Sequence, residues 1–441
     1  MAQIIGTNIL ALIFVLGVMI FVHEFGHYIV AKLFKIRVEV FSLGFGPRLF
    51  GFRKGDTDYR VSALPLGGYV KMAGENFDEE LTGSKDEFLS RPKSHRMAVA
   101  IAGPLMNFLL AIALLAGNLI MGVQIPAYLY EPPIIGAIDL NSPAERAGLK
   151  IGDRILSIGN SETDNWEDVT FATGASARKP LPFRIQRNGK QLTGSITPEP
   201  APDTQLGWIG VGPLFPSVVG SVEPGSPADR AGLKAGDEIL KVKSPTREVY
   251  TFFQARALIG ENEGKPLEFT IRRGKETTTK IITPQKIGGD VRIGYAPEPP
   301  PSVTKKFGPL EAIRESVQRN YRLTLLTFNI VGKILVGDAS IRTISGPIEI
   351  ARYSGEAARR GASIMTEFMA MISLQLGIFN LFPIPILDGG VIFLLLIESL
   401  IRRDLSLQVK ERIFQIGFIF IILLMGIVLF NDLNKSLTLF K

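Results

Sequence analysis

Two histidines and a glutamate near the start of the chain carry its most specific chemistry. His23, Glu24 and His27 form an H-E-x-x-H motif within Ile20–Ile29. Residues four apart on a helix share one face, so both imidazoles can reach a single zinc ion. The glutamate between them projects near the same face and can take a proton from a water held by the metal. The chain has three histidines in all, and the motif uses two of them. It has no cysteine, which excludes a disulfide framework, thiolate ligands and a cysteine nucleophile.

A catalytic zinc site wants three protein ligands and one open position. The remaining histidine, His95, sits among Arg91, Lys93 and Arg96 and reads as a surface residue. The third ligand is then expected to be a carboxylate. Glu367 and Glu398 flank the apolar run Phe368–Ile397, where they can reach lipid headgroups, whereas Asp388 is the one charge inside it. A carboxylate at membrane depth costs about 2.5–3.5 kcal/mol on insertion scales, which marks Asp388 as functional. Pairing with a basic side chain is its alternative role, and no Lys or Arg lies inside the apolar runs. Asn380, earlier in the same run, carries an amide that can stabilise an oxyanion; capping or packing at a helix break is the alternative.

These residues must be positioned by membrane helices. From Ile4 to Ala31 the only charged side chain is Glu24, and the run exceeds the roughly 20 residues needed to cross a bilayer. Met97–Val123, Phe368–Ile397 and Ile413–Phe430 are three further spans. The second contains Ala102-Gly103-Pro104 and Asn107, which read as close helix packing and a hydrogen bond to a neighbour. In the third, Pro383, Pro385, Gly389 and Gly390 must break the helix. Unwound backbone at that depth requires a cavity lined by protein or water.

A length of 441 residues implies several units, and a hydrophobic fraction of 46% suits a few spans plus a soluble part. The net charge of +7 is explained by basic residues beside the apolar runs, between Lys32 and Arg96 and again at Arg402–Arg412, rather than by nucleic acid. Those segments mark the cytoplasmic side, which puts both termini and the central region outside. The first run is not read as a cleavable signal, because no Lys or Arg precedes Lys32 and cleavage would discard His23 and His27.

Within the first basic loop, Val38–Phe52 and Tyr59–Met72 read as strands broken by Gly44, Gly46-Pro47 and Gly67-Gly68. An exposed edge along Gly67, Gly68, Tyr69, Val70 and Lys71 can pair with an extended substrate backbone. A small hairpin without substrate contact is the alternative. Beyond Pro132 a repeat appears: Ile135–Leu156 recurs as Val219–Leu240, an offset of about 84 residues. Each copy runs from a strand to Ser-Pro-Ala, then A-G-L, then G-D-x-I-L. This resembles the PDZ fold of the circularly permuted bacterial type. Such grooves hold peptide or protein C-termini, although a steric gate or spacer is an equal reading. Pro297–Pro301 reads as a stiff linker, and Phe307–Arg360 as interfacial helices carrying Arg314, Arg319, Arg322 and Lys333.

The expected fold is a multi-domain membrane protein: a four-span α-helical core, a membrane-associated β-hairpin and two tandem PDZ domains. The boundaries are 1–34 for the first span, 35–96 for the loop and hairpin, and 97–123 for the second span. The PDZ copies occupy 124–212 and 213–298, linker and interfacial helices 299–362, the third span 363–400, and the fourth 401–441.

H-E-F-G-H, A-G-P-x-x-N-F, N-x-x-P-x-P-x-L-D-G and the central tandem together resemble the site-2 protease family along essentially the whole chain. The resemblance implies an intramembrane metalloprotease with Zn2+ bound by His23, His27 and Asp388 and with Glu24 as general base and acid. It implies an inner-membrane protein whose PDZ pair is periplasmic. Its substrates would be single-span membrane proteins of the anti-sigma-factor type, already trimmed by another protease, and remnant signal peptides. Two rival readings remain at this point. A membrane scaffold would hold a structural metal, which needs four ligands where three are found. An anchored protease facing solvent would carry H-E-x-x-H outside the spans.

Overall fold

The computed structural model describes residues 2–75, 82–139, 141–174, 176–201, 206–213, 217–250, 252–287, 290–298, 301–337 and 345–439, without the side chains of 2–5, 65–66, 252–253, 257, 290 and 434–439. Part of the linker expected at Pro297–Pro301 lies outside these residues. The chain divides into one unit of residues 1–123, 306–328 and 344–438 and another of 124–305, 329–343 and 439–441.

The first unit is mainly helical. Its elements are α1 (Ala2–Leu33), β1 (Val38–Lys54), β2 (Thr57–Met72), α2 (Lys93–Met121), α3 (Pro309–Leu335, as far as residue 328), α4 (Pro347–Arg360), α5 (Ala362–Asn380), α6 (Asp388–Leu400) and α7 (Leu407–Leu439, as far as residue 438). Among the described residues, four helical stretches are long and apolar enough to cross a membrane: Gly6–Leu33, Lys93–Met121, Ala362–Asn380 and Leu407–Leu433. They carry the four expected runs. The third run is divided between two helices, because Pro383 and Pro385 cannot donate helical hydrogen bonds and α5 stops at Asn380. Helix α6 can turn back tightly only because Gly389 and Gly390 lack side chains. A β-carbon there would lie 2.3 Å from the Leu381 carbonyl oxygen or 2.2 Å from that of Ile384.

Helices α1, α2 and α5 share a core in which Val15, Met19 and Met369 pack against Leu110, Leu114 and Met365. Gly26 lets α2 approach α1, since a β-carbon there would meet the Ala102 carbonyl oxygen at 2.4 Å. On α1 the aromatic stripe Phe21, Phe25 and Tyr28 contacts Phe41 of β1, and this fastens the sheet to the helix.

Strands β1 and β2 form one antiparallel hairpin folded over on itself. Val40 pairs with both Asp58 and Lys71, and Leu43 with both Val61 and Gly68. Residues 68–71 therefore pair on one side only among the described residues, and form a sheet edge. Phe45, Leu49, Phe50 and Phe52 are exposed along β1. Helix α3 turns Ala312, Ser316 and Asn320 inward and leaves Leu310, Ile313, Val317 and Tyr321 exposed. The α4 amino end is capped by Asp432 of α7, which accepts hydrogen bonds from the backbone N–H groups of Gly346 (3.0 Å), Ile348 (3.0 Å) and Glu349 (3.2 Å).

One expectation in this unit is sharpened and one corrected. His95 is half-buried rather than a plain surface residue: its ring stacks on Phe34 at 4.0 Å, because the turn after α1 brings Phe34 against the start of α2. Glu398 does not reach toward headgroups. It is 0% exposed, and accepts from Lys410 Nζ at 2.7 Å and Leu405 N at 2.9 Å, because the chain doubles back after α6.

In the second unit the sequence repeat is also a structural repeat. The first copy has an antiparallel sheet ordered Ser161–Glu162, Arg154–Ile158, Leu181–Arg187, Lys190–Ile196. The second is ordered alike: Glu248–Val249, Glu238–Lys243, Leu267–Arg273, Glu276–Ile282. Each sheet buries matching apolar residues, Ile155, Phe183 and Ile185 in one and Ile239, Phe269 and Ile271 in the other. Ser142 and Ser226 cap equivalent short helices. Gly210 and Gly294 take φ of +76° and +83°, and at each a β-carbon would fall 2.2 Å from the capping serine's Cβ.

Candidate metal centre

Helix α1 presents His23 and His27 one turn apart, and the first residue of α6 presents Asp388. His23 Nε2 lies 3.1 Å from Asp388 Oδ2 and 3.2 Å from His27 Nε2, and His27 Nε2 lies 3.4 Å from Asp388 Oδ1. A tetrahedral zinc with bonds of about 2.0–2.1 Å separates its ligands by about 3.3 Å, so the two Nε2 atoms and the carboxylate stand at the spacing such an ion needs. Two imidazole nitrogens and one carboxylate suit zinc, and three protein ligands leave the fourth position open. The donors present therefore fit a zinc ion. Both histidines are buried.

These three side chains border a cavity of about 380 Å³, whose wall includes Glu24, Tyr69, Val70, Asn380, Ile386 and Leu387. The backbone N–H of Val70 donates to Glu24, so the sheet edge reaches the glutamate directly. Gly68 packs close to the same side chain: a β-carbon there would lie 3.5 Å from Glu24 Cγ and 2.8 Å from the Ser42 carbonyl oxygen. Gly67, at φ +141°, lies under the Phe45 ring. Lys71 forms an ion pair with Glu39 at 3.0 Å and is not on the cavity wall. Asn380 Nδ2 stands 3.5 Å from His23 Nε2, at the limit of a hydrogen bond and on the cavity wall. The structure thus brings His23, Glu24, His27, Asp388, Asn380, Tyr69 and Val70 together, with Gly67, Gly68 and Lys71 along the adjoining strand.

The unwound segment before Asp388 is strained. Ile386, a β-branched residue, takes φ 103°, a region such residues rarely occupy. It sits on the cavity wall two positions from Asp388.

Helix α2 contributes residues that sequence reasoning treated as ordinary packing. A β-carbon on Gly103 would lie 2.3 Å from His27 Nε2 and 2.8 Å from His23 Cε1. The Nδ1 of His27 bonds the Val99 carbonyl at 2.8 Å, and that of His23 lies 3.1 Å from Asn107 Nδ2. The available signal was spacing: Gly103 and Asn107 stand four apart on α2, as the histidines do on α1.

The profile of peptidase family M50 matches residues 11–424. The chain belongs to peptidase family M50. It is 34% identical to the protease RseP of Yersinia pestis over 97% of this chain and 98% of that one. It is 34% identical to the regulator of sigma-E protease RseP of Escherichia coli, with the same coverage. A Treponema pallidum relative with "zinc metalloprotease" in its name is 33% identical over 95% of this chain and 97% of its own length. This M50 protein is accordingly a zinc metalloprotease of the site-2 type, built on a membrane-embedded helical core.

Proposed function

We propose that this M50 protease hydrolyses a peptide bond within or at the edge of the membrane segment of single-span proteins. The substrates in this reading are of the anti-sigma-factor type, trimmed beforehand by another protease, together with remnant signal peptides. The observation that carries it is the convergence of His23, His27 and Asp388 within 3.1–3.4 Å of one another, beside Glu24 and a sheet edge. The Escherichia coli relative's name as a regulator of sigma-E supports the substrate class.

When bound, zinc polarises the scissile carbonyl and acidifies a water to a pKa of about 7. Glu24 takes the proton from the attacking water and later passes it to the leaving amine. The Asn380 amide donates to the oxyanion as charge develops. A helical substrate hides its carbonyls, so it must unwind before attack. The edge formed by Gly67, Gly68, Tyr69, Val70 and Lys71 holds the opened backbone by strand addition. Support comes from the one-sided pairing of 68–71 and from Tyr69 and Val70 on the cavity wall.

The two repeats are read as PDZ domains, at 124–212 and 213–298, with grooves suited to peptide or protein C-termini. The protein is placed in the bacterial inner membrane, in contact with the lipid bilayer. The basic loops 32–96 and 402–412 lie toward the cytoplasm, and the termini and PDZ pair toward the periplasm.

The test is cleavage of a single-span reporter by detergent-purified protein, with zinc measured on the same sample. Glu24→Gln is expected to keep its zinc and lose cleavage. Turnover at the wild-type rate in that variant overturns the reading.

A further inference from the structure

We propose that Asn107 is a positioning residue for His23, accepting a hydrogen bond from His23 Nδ1 and so fixing the imidazole with Nε2 free for the metal. The inference rests on the zinc reading and adds a residue to it.

His23 Nε2 is the atom that faces Asp388 and His27 Nε2, at 3.1 and 3.2 Å. A lone pair on Nε2 leaves the ring proton on Nδ1, and a buried N–H requires an acceptor. The polar group at Nδ1 is the Asn107 carboxamide, 3.1 Å away and 0% exposed. With Nδ2 turned toward His23, two donors face each other and Asn107 Oδ1 is left buried without a partner. The two ends of a carboxamide are isosteric. Rotation by half a turn puts Oδ1 opposite Nδ1–H and resolves the conflict at the ring.

His27 shows the same design: its Nδ1 donates to the Val99 carbonyl at 2.8 Å. Both acceptors belong to α2, one on each side of Gly103, whose missing side chain allows the approach. The backbone at Asn107 is itself anchored, because buried Ser373 on α5 donates its hydroxyl to the Asn107 main-chain carbonyl oxygen at 2.8 Å. Partners that orient metal-bound histidines in this way typically change metal affinity by about 10- to 100-fold when removed.

The experiment compares zinc affinity of the full-length protein in detergent, by competition with a chelator, for wild type, Asn107→Leu and Asn107→Asp. Thermal unfolding of the zinc-free proteins is followed in parallel. Leucine keeps the volume and removes the acceptor; aspartate keeps the acceptor. Asn107→Leu is expected to bind zinc about 10- to 100-fold more weakly, while Asn107→Asp stays near wild type. Wild-type zinc affinity in Asn107→Leu overturns the inference, and so does an Asn107→Asp protein as weak as Asn107→Leu. A wild-type protein that takes up no zinc overturns the proposed function and this inference together.

Discussion

Gly103 of α2 lies so close to His27 of α1 that a β-carbon would fall 2.3 Å from its Nε2. The ring is held by Val99 and cannot retreat freely. Gly103→Ala should therefore lower zinc affinity at least about tenfold, as loss of ligand orientation does elsewhere. Gly117, on the same helix, has nothing within 4 Å of its would-be β-carbon. Gly117→Ala should bind zinc normally. Chelator competition on both variants checks the contrast.

Glu398 and Lys410 meet at 2.7 Å with side chains 0% and 9% exposed. Removing one member of such a pair leaves an uncompensated charge. Lys410→Met should cost about 3–5 kcal/mol of stability, and Glu398→Leu combined with Lys410→Met should recover much of it. Thermal unfolding in detergent, with zinc content as a fold control, measures both.

What could be read from the sequence divides along physical lines. His23, Glu24 and His27 are local: helix periodicity alone puts the histidines on one face. Asp388 was legible because a lone carboxylate in an apolar run requires a purpose. The broken third span followed from Pro383 and Pro385, and the repeat from its own recurrence. The burial of Glu398 was not legible, since a charge at the end of an apolar run normally snorkels and Lys410 belongs to another helix. Nor were Gly103 and Asn107, whose role depends on the approach of α1 and α2 rather than on either sequence alone. The stacking of His95 on Phe34 was not legible either, because the two are separated by a long loop.

Asp237 is buried and bound by Arg273, with Nε 2.6 Å from Oδ1. That guanidinium outweighs burial and holds the carboxyl below its ordinary value of 3.8. At Asp153, burial pushes up, and Arg187 with the Lys150 N–H outweighs it. A depressed folded pKa stabilises the fold fully above the unfolded value, and the gain is lost as pH falls through the folded one. Hydrogen-exchange protection of Glu238–Lys243, corrected for intrinsic rates, should therefore drop as pH falls below about 4. Asp237→Asn should remove this site's share of the drop.

Proline at Gly68 would block strand addition beside Glu24 by removing a backbone donor from the edge. Gly68→Pro should reduce reporter cleavage by at least about tenfold, the scale of 1.4 kcal/mol lost from the transition state, with zinc content unchanged. Cleavage at the wild-type rate would show that the edge does not hold substrate.

Zinc stoichiometry in purified wild type and Asp388→Ala, by mass spectrometry, tests the shared metal centre most directly. The geometry predicts one zinc per wild-type chain and its loss after chelator challenge in Asp388→Ala, where two imidazoles remain. Equal zinc in the two proteins after the same challenge would contradict the assignment of Asp388 as a ligand, and with it the catalytic centre described for this chain.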